Sequence, residues 1–222
     1  PTQPVPGLVL AAVPTREDSA DALIAPAAQV LEQLPTAARV GTSSLRRRAQ
    51  LLRLRPDLEI VTLRGNIETR LNHALDGRLD AVVLAWAGLA RLGLRHFVTE
   101  RLVPPRFLPA VGQGALGIEC RSDDRLVRQL LQHLDDPASH AAVLAERAAL
   151  AELQGGCLLP LGAWARDVDG QLVLDVALYH PSGSGHLQSS RAGCWDDAES
   201  VGRRVAQDLR ARGADRFLRH DP

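Results

Sequence analysis

The sequence predicts an α/β protein with a parallel or mixed sheet, followed by a small α+β domain at the C-terminal end. Between Ala38 and Leu94, short β-like runs alternate with segments of helical periodicity, which is typical of βαβ crossovers. An alanine-rich helical segment, three strand-like runs and a closing helix come later. With 222 residues, 45% of them hydrophobic, the chain is large enough to bury sizeable cores in both parts.

The α/β region consists of three strand and helix pairs. The predicted strands are ARVGTSS, EIVTLRGN and DAVVLAWAG. The helices that follow them are LRRRAQLLRLRPDL, IETRLNHALDGRL and LARLGL, respectively. Leu45, Ala49 and Leu52 recur at the spacing of one helix face. The carboxyl ends of parallel strands meet at one edge of a sheet, where open α/β sheets bind ligands. The loops GTSSLRR, LRGN and AWAG are therefore predicted to cluster there.

A proline-containing segment separates this region from the C-terminal part. Pro104, Pro105 and Pro109 interrupt the run RLVPPRFLPAVGQGALGIEC, which resumes as a predicted strand around Ala115 to Glu119. The three glycines of VGQGALG match no dinucleotide-binding spacing, so they are interpreted as a hinge or a close backbone crossing.

The C-terminal part is predicted to have the order α-β-β-β-α. Its first helix, AAVLAERAALAEL, is expected to end at Gly155, a residue type favoured just after a helix. The strands LGAWARDV, QLVLDVALYH and LQSSRAGCW follow, with DVDG and HPSGSG as turns. The closing helix is predicted from about Asp197 to Arg212.

Charge and composition limit the classes of partner. The formal net charge is zero, so no overall field attracts nucleic acid or an anionic membrane, and neither is expected as a partner. All 26 basic residues are arginine, which excludes lysine chemistry and favours bidentate carboxylate or phosphate partners. No apolar run approaches the roughly 20 residues of a membrane span, and a cytoplasmic location is expected. The seven histidines and three cysteines lack metal-type spacing, so no metal site is expected.

The first loop carries a predicted anion site. Thr42 and Ser44 offer hydroxyl groups where a strand turns into a helix, and Arg46 and Arg47 occupy the first helical turn. Cations at a helix N-terminus are unfavourable by about 0.3–1 kcal/mol each, so a bound anion is expected to compensate them. The alternative is that Ser44 caps the helix and both arginines are solvated.

The next two loops repeat this arrangement. Arg64 precedes the second helix, Arg70 lies within it, and Arg91 follows the third loop. The repetition favours a ligand with several negative charges. A phosphate compound and an organic substrate with several carboxylates both fit, although the sequence has no P-loop or dinucleotide motif.

Cys157 lies in the unusual stretch AELQGGCLLPLG, directly after Gly155 and Gly156. A lone cysteine is more often a small core residue than a reactive one, and Cys120 and Cys194, beside or within strand-like runs, are expected to be core residues. At Cys157 the glycines permit close approach of a ligand, so this thiol is a candidate for carrying a covalent group.

Five motifs occur in a fixed order along nearly the whole chain. They are VGTSSLRRRAQL, RPDLEIVTLRGNIETRL, DAVVLAWAGLARLGL, LPAVGQGALGIECR and AERAALAELQGGCLLPLGAWA. Together they resemble the porphobilinogen deaminase family, also called hydroxymethylbilane synthases. The stretch TREDSADAL near the start is similar to the family's segment that leads into its second domain.

The resemblance implies a transferase of tetrapyrrole biosynthesis, the route to heme and other porphyrins. Such an enzyme condenses four porphobilinogen units head to tail, with release of ammonia, to give hydroxymethylbilane. It is primed by a dipyrromethane cofactor, joined through a thioether to the residue that matches Cys157. By the same resemblance, the cofactor-binding residues are Cys157, Thr42, Ser44, Arg46, Arg47 and Arg70. The residues that engage the substrate and the growing chain are Arg64, Arg70 and Arg91.

The resemblance also implies an architecture of two lobes like those of type 2 periplasmic binding proteins, plus a small cysteine-bearing domain. Residues 1–14 and 113–133 are expected to be remnants of the first domain. Residues 15–112 are expected to form the second domain with the three loops GTSSLRR, LRGN and AWAG, called the arginine loops below, and residues 136–222 the third. The full-length enzyme is expected to be a monomer.

One residue of the family pattern has no counterpart here. The family's catalytic carboxylate, an Asp of a KD pair, stabilises the cationic azafulvene that forms when ammonia leaves, and its position is expected to precede residue 1. The sequence contains no Met, and a processed or truncated chain is expected. Asp18 and Asp21 lie in TREDSADAL and are not expected to replace that Asp. The prediction is that this chain alone can lack activity.

Two rival interpretations follow. The first is a non-catalytic lobe that binds a polycarboxylate ligand through the same loops. Cys157 distinguishes the two, because a binding module has no use for a covalently loaded thiol. The second is a fragment that folds poorly because strands of the first domain leave unpaired edges and exposed apolar surface.

Overall fold

The structure is a computed structural model that describes residues 5–28, 30–154 and 159–218. Within these residues there are three sheets. Their strands are β1 Leu8–Ala12, β2 Asp21–Ile24, β3 Arg39–Gly41, β4 Glu59–Val61, β5 Ala81–Ala85, β6 Glu100–Leu102, β7 Ile118–Arg121, β8 Leu161–Val168, β9 Gln171–Tyr179 and β10 His186–Gly193. The α-helices are α1 Leu45–Leu54, α2 Ile67–Leu75, α3 Trp86–Arg91, α4 Arg125–Leu131, α5 Pro137–Glu152, α6 Ala198–Ala211 and α7 Asp215–Leu218.

The α/β lobe is built on a five-stranded sheet with the order β4-β3-β5-β2-β6. β3 pairs in parallel with β4 and with β5, so that Val40 lies opposite both Ile60 and Ala81. β2 pairs antiparallel with β5 and β6. The sheet is therefore mixed, which confirms the predicted class. Periodicity did not reveal β2 and β6 because they have only four and three residues.

Alternation along the central strands divides the core of this lobe between two faces. Leu23 packs in a cluster with Leu51 of α1, whereas Val82 packs with Leu71 of α2 on the opposite face. Because successive strand residues point to opposite sides, Asp21 shares the face of Leu23. The sheet thus directs a carboxylate towards α1.

The C-terminal domain has the predicted order α-β-β-β-α. β8, β9 and β10 form an antiparallel sheet, with Leu161 opposite Leu178. One face, with Leu174 fully buried, packs under α5 and α6. On the other face Ala177 and Tyr179 pack against Ala49 of α1. The C-terminal domain therefore rests on the helix that begins at the first arginine loop.

Several element boundaries differ from the predictions. α3 begins at Trp86, three residues before the predicted helix, and β7 begins at Ile118 instead of Ala115. After α5 the left-handed backbone conformation falls on Gln154, with φ of 53°, while the predicted terminal residue Gly155 lies outside the described residues.

The core placement predicted for two cysteines is wrong. Cys120 is only half-buried and Cys194 is exposed. The physical reason for Cys120 is that, among the described strands, β7 pairs with β1 alone in a two-stranded sheet, which covers little of its surface.

The segments 13–20 and 109–117 cross closely, as the glycines of VGQGALG predicted. Gly114 has φ of 85°, and a Cβ atom there would lie 2.4 Å from the backbone oxygen of Glu17. Next to the crossing, the guanidinium of Arg16 donates to the fully buried carboxylate of Glu146 at 2.8 and 3.1 Å. Glu146 also accepts from the backbone N–H groups of Gly112 and Ala165. One carboxylate thus joins the crossing to both α5 and β8.

Candidate active site

The three loops predicted to cluster lie together at one edge of the sheet. The backbone N–H of Thr42 donates to Val61 O at 2.9 Å, and the hydroxyl of Ser43 donates to Leu63 O, which joins the first loop to the second. A Cβ atom on Gly88 of α3 would lie 2.6 Å from Ile67 Cδ1, so α3 and the start of α2 are in contact. The predicted clustering is confirmed.

Ser44 caps the first turn of α1, as the alternative interpretation of this loop expected. Ser44 Oγ accepts from the backbone N–H of Arg47 at 3.3 Å, and Thr42 Oγ1 accepts from the backbone N–H of Ser44 at 3.2 Å. Neither hydroxyl donates a hydrogen bond within the described part of the chain, so their hydrogens are available to donate to a ligand. No acidic residue lies in this first turn.

Arg46 and Arg47 are not solvated, because both pair with a carboxylate inside the protein. Their residues are 4% and 8% exposed, and Asp21 is 0% exposed. Arg46 Nη1 lies 2.7 Å from Asp21 Oδ2, while Arg47 Nε and Nη2 lie 2.9 and 2.7 Å from Asp21 Oδ1. The sequence did not reveal this internal partner.

Gln113 and Leu108 complete the surroundings of this ion cluster. Arg46 Nη1 also donates to Leu108 O at 2.6 Å, and its Nη2 donates to Gln113 Oε1 at 3.3 Å. Gln113 Nε2 donates to Asp21 Oδ1 at 3.0 Å. The crossing segment therefore fixes the carboxylate and one guanidinium with a single amide.

The cluster of Asp21, Arg46 and Arg47 carries a net charge of about +1, since two guanidinium groups share one carboxylate. Burial raises the pKa of Asp21, but the charges of Arg46 and Arg47 outweigh burial and lower this pKa below its usual value. Arg46 Nε is buried and has no hydrogen-bond partner among the residues that the structure describes. Excess positive charge and an unused donor fit the binding of a further carboxylate.

Arg64, Arg70 and Arg91 differ from this pair. Arg64 and Arg91 are exposed and Arg70 is half-buried. None of the three has an ion-pair partner within residues 5–28, 30–154 and 159–218, and the Nε atom of Arg70 is buried without a hydrogen bond there. These guanidinium groups are available for carboxylates of a ligand.

A chain of hydrogen bonds leads from α1 to the strand that follows the Cys157 stretch. Gln50 accepts from the hydroxyl of Tyr179 at 2.9 Å and from Leu108 N at 2.7 Å. The backbone N–H of Tyr179 donates to Pro160 O at 2.9 Å. Burial raises the pKa of Tyr179 to about 12, so its hydroxyl stays protonated and donating. Cys157 itself lies outside the described residues.

Sequence reasoning missed Asp21, Gln113 and Gln50. A signal for Asp21 was present, because a carboxylate that opens the otherwise apolar strand DALI is rarely buried without a cationic partner. That signal required β2 to be recognised as a central strand. No local signal marked the two glutamines.

Neither a metal centre nor a membrane span is found in the described part of the chain. No group of three or more His, Cys, Asp or Glu side chains there could hold a metal ion. No described helix combines the length and the apolar character that crossing a bilayer requires.

Two family profiles match the chain. The profile "Porphobilinogen deaminase, dipyromethane cofactor binding domain" matches residues 1–129, and "Porphobilinogen deaminase, C-terminal domain" matches residues 140–211. The first covers the arginine loops and the second covers the sheet that packs against α1.

Curated relatives match over nearly the whole chain. Porphobilinogen deaminase of Syntrophobacter fumaroxidans is 49% identical over 212 residues, which are 96% of this chain and 69% of the relative. The enzyme of the same name from Desulforudis audaxviator is 46% identical over 98% of this chain and 71% of the relative. That from Nocardia farcinica is 48% identical over 98% of this chain and 66% of the relative.

Two solved structures with partial likeness to the chain are described as binding proteins. A putative methionine-binding lipoprotein from Bacillus subtilis gives a TM-score of 0.42 at 16% identity, over 58% of this chain and 61% of that one. A periplasmic substrate-binding protein from Coxiella burnetii gives 0.40 at 18% identity, over 63% and 67%. At these scores the likeness supports no functional conclusion. The family profiles and the curated relatives, in contrast, agree along the chain, which therefore belongs to the porphobilinogen deaminase family, transferases of tetrapyrrole biosynthesis that carry a dipyrromethane cofactor and make hydroxymethylbilane.

Proposed function

We propose that this chain binds porphobilinogen and the growing pyrrole chain through the arginine groups of its three clustered loops. The observation that carries the proposal is the meeting of these loops at one sheet edge, where one arginine pair is buried and the other arginines lack a described ion-pair partner. Each porphobilinogen unit brings an acetate and a propionate, so elongation adds negative charge that guanidinium groups can neutralise. A binding lobe without catalysis is the less favoured alternative.

The cofactor end of the site is proposed to lie at the start of α1. There Arg46 and Arg47, together with the free hydroxyl hydrogens of Thr42 and Ser44, bind the acids of the dipyrromethane. The net positive charge of the cluster and the unpartnered Nε of Arg46 support this assignment.

The substrate end is proposed to lie at the second and third loops. Arg64 and Arg91 are exposed and bind the carboxylates of the incoming porphobilinogen. Arg70, one turn inside α2, contacts both the cofactor and the substrate. The permanent charge of arginine suits this binding role and excludes these groups as general bases.

Cys157 is proposed to carry the cofactor through a thioether. The hydrogen-bonded path from Pro160, which follows Cys157 in the sequence, through Tyr179 and Gln50 to α1 supports this assignment. Bound there, the dipyrromethane offers a free pyrrole α-carbon as the first acceptor.

Each proposed condensation exchanges one bond for another. The aminomethyl C–N bond of porphobilinogen breaks and ammonia leaves, a C–C bond forms to the acceptor carbon, and that carbon loses its proton. The described residues bind and orient the two pyrroles. Asp21 is fully buried on two arginines and is not proposed to move protons.

The domain division, oligomeric state and location are also proposals. We place remnants of a first domain at residues 1–14 and 113–133, the arginine-loop domain at 15–112 and the cysteine domain at 136–222. The separate sheets and clusters of the last two support this division. A cytoplasmic monomer is proposed for the full-length enzyme.

Intact mass spectrometry tests the cofactor assignment. The chain and its Cys157→Ala variant are expressed in cells that make porphobilinogen, with Cys194→Ala as the matched control because Cys194 is an exposed thiol. We expect an added mass of two linked pyrrole units on the parent and the control, and none on Cys157→Ala. Equal added mass on Cys157→Ala would overturn the thioether assignment, and loss of the added mass in Cys194→Ala alone would move it to that cysteine.

A further inference from the structure

We propose that Asp21 is a positioning residue. It binds Arg46 and Arg47 and orients them so that their unused N–H groups face the carboxylates of the ligand. This inference rests on the proposed function, because it concerns the directions in which the hydrogen-bond donors of the same anion site point. Asp21 does not touch the reacting atoms. Its role is to set the angle and spacing of two guanidinium groups.

The carboxylate of Asp21 is a fixed point. Its residue opens β2, where it pairs with Ala85 of β5 on one side and Leu102 of β6 on the other. The side chain is 0% exposed and also accepts from Gln113 Nε2 at 3.0 Å. A carboxylate held between two strands and by an amide cannot follow a moving arginine, so the arginines adapt to it.

The contacts leave a defined part of Arg47 unused. Its Nε donates to Asp21 Oδ1 at 2.9 Å, its Nη2 lies 2.7 Å from the same oxygen, and its Nη1 donates to Val83 O at 3.2 Å. Each Nη atom carries two hydrogens, so at least one on Nη1 and one on Nη2 have no partner among the described residues. Asp21 therefore holds one edge of the guanidinium and leaves hydrogens of its Nη end for a ligand.

Arg46 is constrained in a complementary way. Its Nη1 is shared between Asp21 and Leu108 O, and its Nη2 is bound by Gln113, which leaves Nε without a partner in the described chain. The two arginines thus present different edges. A ligand with carboxylates at fixed positions meets donors in fixed directions, whereas a small isotropic anion gains little from that arrangement.

Removing the charge of Asp21 has two opposing effects, and these make the inference testable. Without the carboxylate, the cluster gains one positive charge and attracts any anion more strongly. The guanidinium groups also lose the contacts that orient them, which weakens a ligand that depends on direction. A positioning role therefore predicts a loss of selectivity, whereas a counter-ion role predicts a uniform gain in affinity.

The experiment compares porphobilinogen with inorganic phosphate as ligands of the Cys157→Ala protein, which is proposed to lack the covalent cofactor, so that one pyrrole with its acetate and propionate can enter the cofactor end at the start of α1. Both dissociation constants are measured by calorimetry for this parent and for the same protein with Asp21→Asn or, as the control, Asp175→Asn. Asp175 is also a mostly buried carboxylate bound by one arginine, Arg166 at 2.7 Å, but it lies in the C-terminal sheet. We expect the preference for porphobilinogen over phosphate to fall about tenfold in Asp21→Asn, corresponding to one lost oriented charge-assisted contact, and to stay unchanged in Asp175→Asn.

Each result has a distinct meaning. If both ligands gain affinity by the same factor in Asp21→Asn, Asp21 is only a counter-ion and the inference is overturned. An unchanged preference overturns it as well. If the folded parent does not bind porphobilinogen, the proposed function fails first, and this outcome is recognised before any variant is compared.

Gln113→Leu covers the case in which Asp21→Asn does not fold. This variant removes the amide that holds Asp21 and Arg46 but leaves the three charges in place. We expect it to lower the preference for porphobilinogen by several-fold, with phosphate affinity nearly constant. A Gln113→Leu protein that keeps the full preference would contradict the positioning role on its own.

Discussion

The arginines predicted to bind the ligand fall into two sets, one buried and paired with a carboxylate, the other exposed. Arg46 and Arg47 are buried and held by Asp21, whereas Arg64 and Arg91 are exposed without an ion-pair partner in the described chain. All four lie on loops of one sheet edge or on the helices that follow. The difference is therefore one of local environment.

This difference teaches how one residue type can serve two purposes at one site. Orienting a long side chain on binding costs up to about 2 kcal/mol of entropy, and the buried pair has lost that freedom during folding. The exposed arginines keep their freedom and adapt to whatever carboxylate arrives. A site that holds a permanent primer and receives a succession of substrates needs both kinds.

The largest effect on stability is expected from a substitution that removes the carboxylate partner of the buried arginines. Asp21→Ala leaves two buried guanidinium groups without a carboxylate, and we expect unfolding in urea to show a loss of about 3–5 kcal/mol. The matched control is Asp76→Ala, which removes an exposed partner of Arg78 and is expected to change stability by less than about 1 kcal/mol. Equal effects of the two substitutions would mean that burial does not separate the two sets.

The next effect concerns the exposed set. Arg64→Gln and Arg91→Gln are each expected to weaken porphobilinogen binding about tenfold or more, because each removes a charge-assisted contact of about 1.5–3 kcal/mol. Stability is expected to change by no more than about 0.5 kcal/mol, since neither side chain has a described partner to lose. Arg78→Gln serves as the control, because Arg78 is equally exposed but pairs with Asp76 away from the loops. A loss of stability without a loss of porphobilinogen binding would mean that Arg64 and Arg91 serve the fold and not the ligand, which would contradict the prediction.

Much of the exposed set's placement was open to prediction from the sequence. Parallel strands with helical periodicity between them bring their following loops to one edge, so the positions of Arg64 and Arg91 followed from topology alone. The cap at Ser44 also followed, because serine before a helix accepts from the first-turn N–H groups. Local patterns were sufficient for these residues.

The buried set was beyond such reasoning for a physical reason. Asp21 meets Arg46 and Arg47 across 25 and 26 residues of chain, and the meeting depends on β2 being inserted antiparallel beside β5. A four-residue strand carries too little periodicity to reveal that insertion. Once β2 is known, the two-residue alternation directs Asp21 to the α1 face, and the pairing with arginines becomes expected.

The smallest effect on stability is expected from the hydrogen bonds that link the buried arginines to the C-terminal domain. Tyr179 holds Gln50, which in turn holds Leu108, the backbone partner of Arg46. Tyr179→Phe removes one neutral hydrogen bond, and we expect a loss of about 1 kcal/mol at neutral pH, measured by urea unfolding. Arg64 and Arg91 have no such link to residues that the structure describes, so porphobilinogen binding through them is expected to change little.

The pH dependence of this link follows from its pKa. Burial raises the pKa of Tyr179 from 10.0 to about 12 in the folded protein, so the protonated form is favoured by folding. Its contribution to stability is complete below pH 10 and is lost as pH rises towards 12. Because Tyr179 is the only tyrosine of the chain, the ultraviolet absorbance of tyrosinate reports this group alone. Ionisation near the ordinary value of 10.0 in the folded protein would show that the hydroxyl is not buried against Gln50, and the rigidity of the buried arginine set would then rest on Asp21 and Gln113 alone.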